Sequence, residues 1–352
     1  MSKLFHKDKP IAGIDISTTG VKMMAIHPKR MTVIGYGSVD LDPNKVQGSL
    51  SKSDDYIALG IKKLVHEKLV GHLPSNQVVV SVPTNRTYSR TMNLPMDAEG
   101  NLDEAVQLEA DQYIPIATSE LNIDYEIIDR TKKNLTVLIS AVPKKVVESV
   151  VSSCEKAGFE PVLVEPGINA AARLVGATEE GHLPSIIVDV GAATSDIALL
   201  DQGIIRVTGG AAVGGHTFTF RISEKLKVSL EEAHQLKVHS GLNVGPHQAK
   251  LQSALSPLLD QIATETRKII RYYNERLESK TKVEQIIIVG GGSNLPGLGE
   301  FMTEAMLMPA RVGNPWHALS FGKLQPPTKQ FKPRYVNAAG LALVDPKEVW
   351  SS

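Results

Sequence analysis

The sequence predicts an α/β fold with a duplicated core and a small α+β insert, and three observations predict it. Ser185 to Leu200 reads as an apolar β-branched run, a break at Gly191-Ala192-Ala193-Thr194 and a second apolar run, the pattern of buried strand, tight turn and strand. Ile11 to Ile26 repeats it: Asp15 aligns with Asp189, and Ser17-Thr18-Thr19-Gly20 falls near Gly191-Ala192-Ala193-Thr194. Between the two copies, from Thr84 to Phe159, the chain changes character, with its own helices and alternating strands. An Asp at the same point of two small-residue turns suits a polyanion with a bound cation. Backbone amides meet the phosphate oxygens, and a carboxylate holds the metal's water shell. A buried hairpin with a capping Asp is the alternative for either copy taken singly.

With 352 residues the chain can bury a large core and favours two or more domains. Its 38 basic and 38 acidic residues cancel, so no bulk field points to nucleic acid or to a basic partner. The single cysteine, Cys154, excludes an internal disulfide, and no paired Cys or His spacing suits zinc, which makes a reducing, cytoplasmic setting the expectation. Met1 to Lys9 lacks the hydrophobic region of a secretion signal, and no apolar run approaches the roughly 18 to 20 residues of a membrane span.

Taken in order, the first copy is followed by a helix from Ile57 to Leu69, with Gly71 where it would stop, and a strand from Gln77 to Val82 closed by Pro83. In the insert, a helix from about Leu102 to Tyr113 ends at Pro115, and alternating segments Leu121 to Ile128 and Leu135 to Val142 read as two strands. A second helix begins at Pro143, carries Val146, Val150 and Cys154 on its apolar face, and ends at Gly158. Cys154 is accordingly a core residue rather than a reactive thiol. A short strand, Pro161 to Val164, then leads through Glu165-Pro166-Gly167 into an alanine-rich helix whose small residues permit close packing. Glu165 sits at its mouth, where helix-terminus charge complementarity also accounts for an acid.

After the second copy, Gly209 to Gly215 reads as a flexible loop before a helix at Phe218 to Leu226. Ser229 with Glu232 three residues on forms a capping pattern, and Leu251 to Leu277 is a long amphipathic helix. A strand, Gln285 to Val289, runs into Gly290-Gly291-Gly292-Ser293-Asn294, a bare backbone suited to a flat ring or a phosphate. The chain closes on Asn337-Ala338-Ala339-Gly340-Leu341-Ala342, a second small-residue helix mirroring the first.

Asp15 turn, Glu165-Pro-Gly-Ile-Asn-Ala-Ala-Ala, Asp189 turn, Gly290-Gly-Gly-Ser-Asn and Asn337-Ala-Ala-Gly-Leu-Ala stand in the order of the actin, heat-shock chaperone and sugar kinase superfamily, which the chain resembles over nearly its whole length. Within the insert, Leu94-Pro95-Met96, Leu108-Glu109-Ala110-Asp111-Gln112-Tyr113-Ile114-Pro115-Ile116, Asp124-Tyr125-Glu126 and Ser140-Ala141-Val142-Pro143-Lys144 resemble the PilM family of type IV pilus assembly proteins, relatives of FtsA.

The resemblance implies an actin-like (ribonuclease H-like) duplicated two-lobe fold. Its subdomains would be 1A (residues 1–83 and 160–184), the inserted 1C (84–159), 2A (185–215 and 282–352) and 2B (216–281). It further implies a cytoplasmic ATP- and Mg2+-binding protein, peripheral to the inner membrane through a partner. That partner would be PilN, whose N-terminal cytoplasmic peptide is expected in a groove between 1C and the first large subdomain. Self-association and other pilus components are further partners it allows.

Carried over by residue, Asp15 and Asp189 would hold magnesium through water, Ser17, Thr18 and Thr19 would contact the terminal phosphates, and Lys22 would neutralise charge there. Gly191, Ala192 and Thr194 would supply the second phosphate contacts, while Gly214, Gly215, Lys237, Gly291, Gly292 and Asn294 would enclose the nucleoside. Glu165 matches the acid that orients metal or attacking water in the chaperones. Two departures stand out: His234 where relatives usually have Glu, three residues before the nucleoside lysine, and Ala192-Ala193 where many have Gly-Gly or Gly-Ser.

These residues favour a nucleotide-dependent scaffold with at most slow ATP turnover, since phosphate and metal contacts are clearer than any general base. A small-molecule kinase would need an Asp base over a substrate hydroxyl, for which no motif is found. An FtsA-like filament-forming tether would need a C-terminal amphipathic helix, for which Asp345 to Ser352 is too short.

Overall fold

The computed structural model describes residues 9–52, 54–179, 183–276 and 281–345; most of Met1 to Lys9 and the end beyond Asp345 lie outside them. The chain forms two compact units. The first runs to Leu174 and adds Ala318–Pro326 and the residues from Asn337 on; the second comprises Val175–His317 and Pro327–Val336.

In the first unit, β1 (Ala12–Ser17), β2 (Gly20–His27) and β3 (Thr32–Asp40) are followed by α1 (Pro43–Lys52), α2 (Tyr56–Lys63), a short β4 (Val70–Gly71) and β5 (Gln77–Val82). The insert contributes β6 (Tyr88–Pro95), α3 (Leu102–Tyr113), β7 (Leu121–Arg130) and β8 (Asn134–Pro143). The chain returns through α4 (Lys144–Lys156), β9 (Glu160–Pro166) and α5 (Gly167–Thr178). The main sheet has the order β4-β3-β2-β1-β5-β9, and the insert a separate sheet β6-β8-β7.

Every residue of β5 is buried, as a central strand covered on both faces requires. On one face Val78 and Val80 pack with Ile57 and Ile61 of α2 and with Val146, Val150 and Cys154 of α4. The helix after Pro143 therefore covers the main sheet, although the chain enters it directly from the insert. Cys154 is fully buried in that core, and burial pushes its thiol up to about 12. On the other face Val79 meets Ala170 of α5 and Leu341 of α10 (Val336–Leu341). There α5 and α10 approach backbone to backbone: a Cβ on Gly340 would stand 1.8 Å from the Ala170 carbonyl oxygen. Gly340 is thus a packing residue.

The second unit comprises β10 (Ser185–Val190), β11 (Ser195–Asp201), β12 (Ile204–Ala211), α6 (Gly215–Leu226), α7 (Leu230–His239), α8 (Gln248–Arg276), β13 (Gln285–Val289), α9 (Leu298–Met306) and β14 (Ala310–Val312). Its sheet order is β12-β11-β10-β13-β14, strand for strand that of β3-β2-β1-β5-β9, with the same antiparallel and parallel senses. The internal repeat read from two turns thus extends to five strands.

The capping pattern at Ser229 is realised, its hydroxyl accepting from the Glu232 amide while Glu232 accepts from the Ser229 amide. The expected loop from Gly209 to Gly215 is shorter than its glycines suggest. Gly209 and Gly210 belong to β12, opposite Ile197 and Asp196. They are small because Ile269 of α8 and the Ser195 carbonyl press on them, at 3.0 and 2.9 Å from where a Cβ would be. In the insert, Tyr88–Pro95 forms a third strand beyond the two expected, pairing along its whole length with β8.

Candidate functional site

The two hairpins put their acids at the same register. Asp15 lies opposite Lys22 and Asp189 opposite Asp196, each pair spanning seven residues about its turn. In the first hairpin Thr18 and Thr19 form the loop, and Ser17 donates its hydroxyl to the Gly20 carbonyl at 3.1 Å. Lys22 Nζ donates to Ser17 Oγ at 2.5 Å and to Asp15 Oδ2 at 3.3 Å. The other oxygen, Asp15 Oδ1, accepts from Ser81 Oγ of β5 at 2.8 Å, and that hydroxyl in turn accepts from the Ile16 amide. Asp15 and Lys22 are 4% and 7% exposed, so the charge is matched inside the protein. Across the next strand pair Ser81 stands opposite Glu165, completing a row Lys22, Asp15, Ser81, Glu165 over four strands. Glu165 is held by a bidentate fork from Arg173, at 2.6 and 2.7 Å.

The second hairpin is built differently at the same positions. Asp189 is 6% exposed and its neighbours in the row are Asp196 and Val289, so no lysine stands where Lys22 does. Its carboxylate lies against bare backbone: a Cβ on Gly290 would meet Asp189 Oδ1 at 2.0 Å, and Gly290 adopts φ +82°. Gly292 likewise makes room for Val190, whose Cγ1 is 2.3 Å from the missing Cβ.

Around the turn, the carbonyls of Gly191, Ala192 and Thr194 accept from the amides of Gly215, His216 and Gly191 at 2.8 to 2.9 Å. With these carbonyls occupied, the turn carries less repulsion toward an anion. Gly214 sits so close to it that a Cβ would stand 2.7 Å from the Ala192 carbonyl group. Lys237 Nζ donates to the Gly215 carbonyl and to Thr219 Oγ1, each at 2.8 Å, and Asn294 donates its amide to the carbonyls of Gly291 and Gln330. The candidate residues of the second unit form a continuous set, from Asp189 through Gly290 to Asn294 and from Gly191 through Gly215 to Lys237.

A family model described as type IV pilus assembly protein PilM matches residues 13–345. The chain belongs to the PilM family of type IV pilus assembly proteins. Among solved structures, the fold is similar to that of the "PilM-PilN type IV pilus biogenesis complex", at 22% identity, TM-score 0.80, and 96% and 98% of the two chains. It is also similar to MreB5 of Spiroplasma citri bound to ADP, at 12% identity, TM-score 0.52 and 98% of each chain. Among curated proteins, FtsA of Borreliella burgdorferi is 25% identical over 56% of this chain and 51% of its own length. FtsA of Bacillus subtilis is 23% identical over 86% and 78%. The chain thus spans about half the length of the first of these. This PilM-family chain has the duplicated actin-like fold.

Three residues of the site escaped the sequence reading. Asp196 had a signal, since it follows Asp189 as Lys22 follows Asp15. Ser81 and Arg173 had none, because a serine in an apolar strand and an arginine on an alanine-rich helix acquire their roles only through pairing with distant residues. Among the described residues no group of three or more His, Cys, Asp and Glu side chains could hold a metal directly. The acid pair Asp189 and Asp196 beside the bare Gly290 backbone fits a hydrated cation; Asp15, already matched by Lys22, fits a phosphate neighbour better. Among the described residues no helix is long and apolar enough to cross a membrane.

Proposed function

We propose that this PilM-family chain is a nucleotide-dependent scaffold of type IV pilus assembly that binds Mg-ATP and docks the N-terminal cytoplasmic peptide of a PilN-type membrane partner. The observation that carries the nucleotide reading is the placement of Asp189, opposite Asp196 in the hairpin and against the bare Gly290 backbone, next to a turn whose carbonyls are already bonded. Asp189 holds the magnesium through water, with Asp196 adding charge beside it. Ser17, Thr18, Thr19, Lys22, Gly191, Ala192 and Thr194 take the phosphates. Gly214, Gly215, Lys237, Gly291, Gly292 and Asn294 take the nucleoside. Glu165, with both oxygens on Arg173, offers little as a general base, in line with slow turnover or none.

The partner reading is supported by family membership and by the PilN partner of the similar solved protein. The peptide docks on the first unit, between 1C (84–159) and 1A (1–83 and 160–184), and localises the protein to the cytoplasmic side of the inner membrane without insertion of its own. Nucleotide state tunes this docking. The test is titration of a labelled N-terminal PilN peptide with and without Mg-ATP. Binding with a several-fold change on adding Mg-ATP is expected, and the change is absent in Asp189→Asn. No peptide binding in either state overturns the scaffold.

A further inference from the structure

Charge is divided unevenly within the first unit. Over residues 84–143 the insert holds ten acids against five bases. The opposite holds along the outer edge of β3, where three stretches distant in sequence meet. Pro28–Arg30 form the turn into β3, and beside it the Ser320 amide and carbonyl bond to Met31 and Val33. Farther along, the His72 amide donates to the Ile34 carbonyl, Val70 pairs with Tyr36, and the Lys68 carbonyl oxygen lies 2.9 Å from where a Cβ on Gly37 would be. Leu324 ties the stretch after Ser320 to β4, its Cδ1 standing 3.1 Å from where a Cβ on Gly71 would be. Lys29, Arg30, Lys68 and Lys323 are thus gathered along the run from Met31 to Gly37, a length of about 20 Å. All four are exposed and belong to the first unit.

Among the described residues none of the four takes part in a salt bridge. The stretches 28–37, 62–73 and 318–326 hold six lysines and arginines against one acid, Glu67. Since the whole chain is neutral, this edge is a local positive field. Val70, 37% exposed, adds an apolar contact in its midst. Three of the four cations are lysines, compact hydrated charges on flexible stems, and they are spread along a sheet edge rather than converging on a point. An array of that kind does not grip a single anion, and it demands no acid at a fixed register. It suits a continuous anionic surface whose charges move to meet it, as lipid head groups do.

We propose that the β3 edge carrying Lys29, Arg30, Lys68 and Lys323 rests on anionic phospholipid head groups, with the acidic insert repelled from them. The contact is adsorption without insertion, and it rests on the partner reading only for what brings the protein to the membrane. Four charges alone adsorb weakly once salt screens them, but a chain already tethered by its partner meets the lipid at high effective concentration. The test is flotation of the full chain with phosphatidylcholine vesicles containing or lacking phosphatidylglycerol, each prepared with and without a lipid-anchored PilN peptide.

Phosphatidylglycerol should raise binding about tenfold, and high salt should abolish the gain. A variant combining Lys29→Gln, Arg30→Gln, Lys68→Gln and Lys323→Gln should lose the gain while keeping the wild-type unfolding midpoint and peptide affinity in solution. A control that removes four exposed cations of the second unit instead, Lys225→Gln, Lys250→Gln, Arg271→Gln and Lys282→Gln, should retain it. A gain that survives in the first variant, or is lost equally in the control, overturns the inference. No gain in the wild type, with peptide-bearing phosphatidylcholine vesicles still capturing the chain, overturns it while leaving the partner reading in place. A gain lost in the first variant, without capture by the anchored peptide, sustains the lipid contact and overturns the partner reading. Lipid binding kept and self-association lost in the first variant gives the edge to a second copy of the chain and overturns the inference.

Discussion

The hairpin at Asp15 and the hairpin at Asp189 share strand order, register and the position of the acid, yet they handle charge in opposite ways. The first pairs its Asp with Lys22 and backs it with Ser81, so the buried charges compensate each other. The second sets Asp189 opposite Asp196 and keeps its lysine, Lys237, on neutral acceptors at the α6 corner. Duplication has preserved the scaffold while redistributing the charges.

The comparison can be broken most severely at Gly290. Gly290→Ala puts a methyl 2.0 Å from Asp189 Oδ1 at a positive φ, and the second unit should lose about 3 kcal/mol or more of stability in urea unfolding. Next come the acids themselves. Asp15→Ala leaves Lys22 buried without its counter-charge and should cost about 3 kcal/mol. Asp189→Ala, at a carboxylate that faces Asp196 rather than a lysine across its hairpin, should shift stability by less than about 1 kcal/mol while weakening Mg-ATP binding about a hundredfold by calorimetry. Equal stability losses in the two variants would show that the hairpins are electrostatically alike after all.

Ser81→Ala, which removes the hydroxyl linking Asp15 to the Ile16 amide, should cost about 1 to 2 kcal/mol in the same unfolding assay. A separate effect is in the pH dependence of Lys237. Its folded value, about 8, lies below that of the unfolded chain, so between about pH 8 and 10.5 the unfolded state binds more protons and stability should rise with pH. Denaturation midpoints across that range should show this rise in the wild type and lose it in Lys237→Met; a rise of the same size in the variant would assign it elsewhere.

Much of this was legible in the chain. Asp15 and Asp189 announced a duplicated strand-turn-strand because a buried strand needs a continuous β-branched run and a tight turn needs small residues, both local properties. The Ser229 cap and the small-residue packing at Gly340 are of the same kind. Other features were not local. Gly209 and Gly210 read as loop because glycine marks both flexible backbone and close approach, and the reasons for them here are Ile269, sixty residues on from Gly209, and the Ser195 carbonyl of the neighbouring strand against Gly210. The edge strand Tyr88–Pro95 has little alternation to reveal it, since its pairing with β8 makes it a strand. The helix carrying Cys154 looked like part of the insert, and only packing shows that it covers the main sheet.

The sequence by itself determined the repeat, the family and the residue types at each turn, since these follow from order along the chain. Tertiary structure decided what else each acid meets. Lys22 and Asp196 face their aspartates across local turns, but Ser81 reaches Asp15 and the Gly290 backbone reaches Asp189 only because strands distant in the chain lie side by side.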